Sequence, residues 1–100
     1  MSINRLEIEG RVVVGESLRY TPAGIPVLQF RLAHASQQIE ADRERTVSCE
    51  IDAQAFGEVA TRLAACKTDS YLTLTGFLDR KGARNPMPNL HVTEFKIIKE

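Results

Sequence analysis

Tryptophan is absent from this 100-residue sequence, and the aromatic complement is only four Phe and two Tyr. A surface that recognises nucleobases mainly by stacking has little to draw on, so any such affinity has to lean on charge. Net charge is missing too: 13 Lys and Arg face 13 Asp and Glu. Binders of nucleic acid gain most of their non-specific affinity from cations that displace counterions at phosphates. A neutral chain achieves this only where its positive residues cluster. No apolar run approaches the ~20 residues of a membrane span. The start, MSINRLEIEGR, alternates charged and apolar residues and has no signal-peptide core. The expectation is a cytoplasmic protein with no membrane contact.

Cysteine is scarce as well. Cys49 and Cys66 lie far apart, with no flanking motif of a reactive thiol. They read as small buried hydrophobes, and a disulfide between them is not expected in the cytoplasm. His34 and His91 are equally separated, so the close-spaced ligand pairs of a zinc site are missing. Neither GxxxxGK[ST] nor GxGxxG occurs. The carboxylates are scattered among basic residues rather than paired for acid–base work. No catalysis, no cofactor and no metal are expected.

What is present is a folding pattern. A hydrophobic fraction of 43% suits a globular domain, and residues 1–100 read as one domain. Leu6, Ile8, Val12 and Val14 alternate with charged residues, the period of a half-buried strand. Gly10 falls on the apolar phase, where glycine marks a bend or a close backbone approach. A long loop with Pro22, Gly24 and Pro26 follows, containing an extended or short hairpin portion. The second strand runs Val27–Ala35, with Leu28, Phe30 and Leu32 inward. Ser36–Arg43 reads as a connecting loop or hairpin tip. The third strand runs Arg45–Ala53, with Val47, Cys49 and Ile51 inward.

The period then changes. Phe56, Val59, Ala60 and Leu63 make one helical stripe, beginning near Asp52 or Gln54 and ending at Lys67–Ser70. The fourth strand, Tyr71–Asp79, places Leu72, Leu74 and Leu78 on one face and again sets a glycine, Gly76, in the apolar phase. Arg80–Pro86 reads as a polar loop. In the last strand, Leu90–Ile98, the alternation slips, and a bulge near Thr93-Glu94 reconciles its two halves. The order β-β-β-α-β-β, with two mid-strand glycines for curvature, predicts an all-β, five-stranded OB-fold barrel with one short helix between strands three and four. A different α+β sheet is the alternative.

The positive residues cluster despite the neutral total. Arg80, Lys81 and Arg84 crowd the last polar loop, Arg43 and Arg45 flank Glu44, Arg19 neighbours Tyr20, and Arg31 points outward from strand two. In an OB barrel these segments rim the face of strands two and three, where oligonucleotides lie. Basic side chains there track phosphates, and exposed aromatics stack on bases. The expected single-stranded-DNA site is therefore Arg19, Tyr20, Arg31, His34, Arg43, Arg45, Arg80, Lys81 and Arg84. The bland alternatives are solvated loop cations, a Tyr20 packed on Pro22, and a structural His34 at the inner phase of its strand. Phe77, opposite in phase to the strand-four leucines, suits a second sheet face, a dimer contact or a stacking platform.

Asn4-Arg5-Leu6 with Gly10, the loop Thr21-Pro22-Ala23-Gly24-Ile25-Pro26, the following Gln29-Phe30, His34, and Gly76-Phe77-Leu78 before a basic loop resemble the PriB family, primosomal replication protein N. The resemblance spans essentially the whole chain. It implies an OB-fold homodimer without catalysis that binds single-stranded DNA and the PriA helicase, and that helps reload the replicative helicase at stalled forks. In some bacteria such proteins also hand over to DnaT. On the positions of this sequence, Arg80, Lys81 and Arg84 match the family's basic loop, and Arg19, Arg43 and Arg45 match parts of its second basic group. The sequence departs from the pattern at Ser48, where some members carry Trp, at the Arg43 region, where an aromatic stands, and at Ala35, where a basic residue can follow the histidine. Those departures put weight on affinity for PriA. A partly closed barrel also leaves an edge on strand one, which pairing with a symmetry mate satisfies. An OB-fold adaptor that binds proteins and hardly binds DNA is the competing reading.

Overall fold

The computed structural model describes residues 2–15 and 17–99, with only the backbone at 14 and 15. Its elements are β1 (Leu6–Gly15), β2 (Arg19–Tyr20), β3 (Pro26–Glu40), β4 (Arg43–Phe56), α1 (Glu58–Ala64), β5 (Tyr71–Gly82) and β6 (Asn85–Lys99). β1 changes partner midway: Leu6–Arg11 pair with β5, and Arg11–Gly15 pair with β3. On the other side β4 and β6 meet in a short parallel contact, Ala53 against Leu90 and Gln54 against His91. The ring β1-β5-β6-β4-β3 is thereby closed, and the two-residue β2 lies along β3. This is the expected OB-type barrel, with its helix between β4 and β5.

Two glycines make the closure possible. A Cβ on Gly10 would collide with the Ala33 carbonyl oxygen and come within 2.9 Å of the Leu32 side chain. A Cβ on Gly76 would collide with the His91 carbonyl oxygen. Both sit where one strand passes closely over another backbone. Beside Gly76 the ladder skips: Thr75 faces Glu94 and Gly76 faces Val92, leaving Thr93 as the extra residue of the expected bulge.

The core is the inward phase of the strands plus one face of α1. Leu32, Leu72, Leu74 and Leu90 are fully buried, joined by Leu28, Phe30, Ala53, Ala55, Val92 and, from the helix, Ala60 and Leu63. Leu6, Ile8 and Val12 pack against this core from β1. The inward position expected of Val14, and Glu16 of the expected loop, lie outside the described residues and side chains.

Several boundaries differ from the sequence reading. The helix begins at Glu58, and Asp52, Gln54 and Phe56 belong to β4. Cys49, expected inward, is exposed, because it pairs with His34 just past the last β1–β3 pair, Arg11–Ala33, where the β3–β4 ribbon leaves the barrel. For the same reason the segments read as loops are largely strand. Ser36–Glu40 pairs with Arg43–Val47, turning at Ala41 and Asp42, and Gly82 pairs with Asn85 across a two-residue tip. Ribbons that project into solvent keep the backbone ladder but have no core to alternate against, so the hydrophobic period that announces a strand is lost.

Candidate nucleic-acid interface

The outward phase of β3 and β4 forms one wall of a groove, and the β5–β6 hairpin forms the other. Register sets the first wall: Gln29 lies opposite Gln54, Arg31 opposite Asp52, and Ala33 opposite Glu50. Gln29, Arg31, Asp52, Gln54, Lys81 and Asn89 all line the groove.

Three rings stack beside it. His91 lies 5.1 Å from Phe77 with the planes 5° apart, and 6.2 Å from Phe56 at 15°. The register explains the order, since β4 delivers Phe56, β6 delivers His91, and β5 places Phe77 opposite His91. Phe56 and Phe77 are 46% and 40% exposed, enough to offer ring faces to solvent. A row of amides leads into the stack. The Arg19 guanidinium donates to Gln29 Oε1 (2.9 Å), Gln29 donates to Gln54 (3.4 Å), and the Gln54 amide lies 3.5 Å from the His91 ring nitrogens.

The cations are more tightly engaged than the sequence suggests. Arg31 Nε donates to Asp52 Oδ1 at 3.0 Å, and its Nη1 lies 3.6 Å from Glu50. Lys81 reaches from the hairpin to the other Asp52 oxygen. The hydrogen bond from Lys81, then that from Arg31, holds the Asp52 carboxyl below the usual carboxylate range. Asp52 in return raises the Arg31 guanidinium above its ordinary value.

The remaining expected residues scatter around this groove. Tyr20 is 64% exposed on β2. Arg80 and Arg84 are exposed on the β5–β6 hairpin and, among the described residues, have no carboxylate partner for their side chains. Arg43 and Arg45 stand near the far tip of the β3–β4 ribbon, and Arg45 is paired with Glu40. At ~3.3 Å per residue Arg45 is roughly 23 Å from Asp52 along the strand, and alternation puts both arginines in the opposite phase from Asp52. His34 is a seam residue. Its Nδ1 donates to the Glu9 carbonyl of β1 (2.7 Å), since a carbonyl only accepts, and its Nε2 then accepts from the Ser36 hydroxyl (2.8 Å). The structure thus gathers Arg19, Arg31 and Lys81 at one groove and leaves Arg43, Arg45 and His34 outside it.

Sequence reasoning missed Phe56 and His91. Phe56 was absorbed into the helical stripe, although Ala53 and Ala55 continue the strand alternation up to it. His91, between inward Leu90 and Val92, carries the outward phase by the same rule. Among the described residues no group of three or more His, Cys, Asp or Glu could hold a metal ion, and no helix is long and apolar enough to cross a membrane.

Comparison with known proteins places these features in context. Residues 4–94 match a family model described as another single-strand binding protein family. The chain is 36% identical to the replication restart protein PriB of Nitrosomonas europaea, over 97% of this chain and 92% of that relative. The solved structure of PriB from Ralstonia solanacearum superposes with a TM-score of 0.89 at 32% identity, covering 97% of this chain and 99% of the other. The single-stranded DNA binding protein of Thermus aquaticus shares the fold alone: TM-score 0.77, 19% identity, 97% of this chain and 50% of that one.

Proposed function

Since the chain belongs to the PriB family of replication restart proteins, within the single-strand binding fold, we propose that it is a non-catalytic primosome component that holds single-stranded DNA across the β3–β4 face. The observation that carries this reading is the exposed Phe56–His91–Phe77 stack at the edge of a groove lined by Arg31 and Lys81. Bases stack on phenyl faces whatever their sequence, and cations alongside track the phosphates. Arg19, Tyr20, Arg80 and Arg84 extend the contact along β2 and the β5–β6 hairpin. PriA helicase is the protein partner this reading assigns, with hand-over to DnaT where that protein exists, and the site of action is the cytoplasm.

The working form is a homodimer. β1 pairs with β5 through Leu6–Arg11 and meets β3 only from Arg11 onward, so the other backbone edge of Leu6–Gly10 has no partner among the described strands. A symmetry-related β1 satisfies that edge. Sedimentation equilibrium at micromolar protein is expected to give twice the chain mass, and a monomer there would remove the dimer.

The test of DNA binding is fluorescence anisotropy of a labelled oligo-dT. Wild type, the Phe56→Ala/Phe77→Ala variant and the Arg80→Ala/Lys81→Ala/Arg84→Ala variant are titrated at low and moderate salt. Binding that weakens with salt and is reduced in both variants supports the reading. One specific observation favours the competing adaptor: Arg31 and Lys81 are already engaged by Asp52. An adaptor retains PriA binding in both variants and shows no affinity for the oligonucleotide at low salt.

A further inference from the structure

A carboxylate and a phosphodiester present the same thing to a pair of cations: two oxygens sharing one negative charge. On the β3–β4 face Asp52 offers one oxygen to Arg31 and the other to Lys81, so its charge lies between cations that come from opposite walls of the groove. Glu50 stands behind Arg31 at 3.6 Å and is the only other carboxylate paired with either cation among the described residues. Asn89, only 6% exposed, lines the floor of the same groove. The groove thus combines two cations of opposite approach with a carboxylate that already fills the position between them.

We infer that Asp52 is a built-in surrogate for one DNA phosphate, seated between Arg31 and Lys81 and displaced when a strand binds. The inference rests on the single-stranded-DNA reading above and deepens it. In the free protein the two cations are neutralised by Asp52 and contribute little to attraction. A strand gains them only by competing with a carboxylate held at very high local concentration. Asp52 therefore sets the affinity: it weakens binding to short or poorly placed strands, and the net-neutral composition becomes a designed balance rather than an absence of binding charge. Lys81 also ties the β5–β6 hairpin to β4 through this contact, so displacement of Asp52 frees the hairpin cations to follow the phosphates.

The experiment is an oligo-dT titration of wild type and Asp52→Asn, which keeps the side chain's size and removes its charge, with circular dichroism and a thermal melt confirming that each is folded. Asp52→Ser serves if the amide variant does not fold. The expected result is binding tighter by about three- to tenfold at low salt. The dependence of log K on log salt should steepen by roughly 0.7 to 1.4, as one or two cations become available to phosphates. Adding Arg31→Gln or Lys81→Gln to the Asp52→Asn protein is expected to remove part of that gain. Wild-type binding with an unchanged or weaker variant would overturn the inference while leaving the DNA reading intact, because Asp52 would then be only a latch between hairpin and barrel. No binding by either folded protein would overturn both. A second arm adds inorganic phosphate at matched ionic strength. No shift in the melting point of Asp52→Asn is expected, and a clear rise would reassign the seat to a free anion and overturn its assignment to a strand.

Discussion

The chemistry of the groove turns on single residues whose roles follow from their neighbours. Asp52 is one. Its carboxyl titrates below its ordinary value of 3.8 because Lys81 and Arg31 bond the charged form. A folded-state value depressed below the unfolded one adds stability that is complete above the unfolded value and is lost as pH falls through the folded one. The difference in urea midpoint between wild type and Asp52→Asn should therefore stay constant from about pH 7 to 5 and shrink towards about pH 3. A difference that grew on acidification would show that the ion pairs do not hold the carboxylate as described. The exposure of Arg31, 48% for its side chain, keeps the whole effect modest and salt-sensitive. At this scale the sequence was only partly readable. The outward phase of Arg31 was plain, but Asp52 stood out only as a candidate start of the helix, whereas it belongs to β4. The register that sets it opposite Arg31, and the barrel closure that brings Lys81 across β6, are long-range facts that no local pattern carries.

The elements show where local pattern suffices and where it fails. Leu72 and Leu74 alternate cleanly because β5 has the core on one side and solvent on the other, and their burial was legible. Phe56 was not, because Val59, Ala60 and Leu63 form a true helical stripe and Phe56 stands at the spacing that extends it backwards. Gly57, between the end of β4 and the start of α1, is the signal that divides them. The two close-passage glycines were legible as sites of curvature, and the structure adds the obstacle each avoids. Gly76→Ala would drive a Cβ onto the His91 carbonyl. His91 supplies the ring that both Phe56 and Phe77 stack on, so the strain reaches the candidate site directly. Chemical denaturation is expected to show a loss of at least about 3 kcal/mol, or failure to fold. A variant as stable as wild type would mean that β5 and β6 separate more easily there than the ladder implies.

For the whole molecule, the decisive property is how a neutral chain acquires a face for an anionic strand. The barrel solves this by sorting. The inward phase takes the leucines, the β3–β4 ribbon pairs Arg45 with Glu40 far from the groove, and Arg80 and Arg84 remain on the hairpin without carboxylate partners among the described residues. Binding should accordingly combine a short aromatic contact with a salt-sensitive contribution from a few cations. The measurement that tests this most directly is the oligo-dT anisotropy titration of wild type against Phe56→Ala/Phe77→Ala at about 50 and 200 mM salt. The account predicts salt-sensitive wild-type binding and a loss of about 1–3 kcal/mol for each base that loses its stacking partner in the variant, roughly five- to 150-fold in affinity per base. Equal binding by a folded variant would contradict it, because the strand would then lie elsewhere than on the Phe56–His91–Phe77 face.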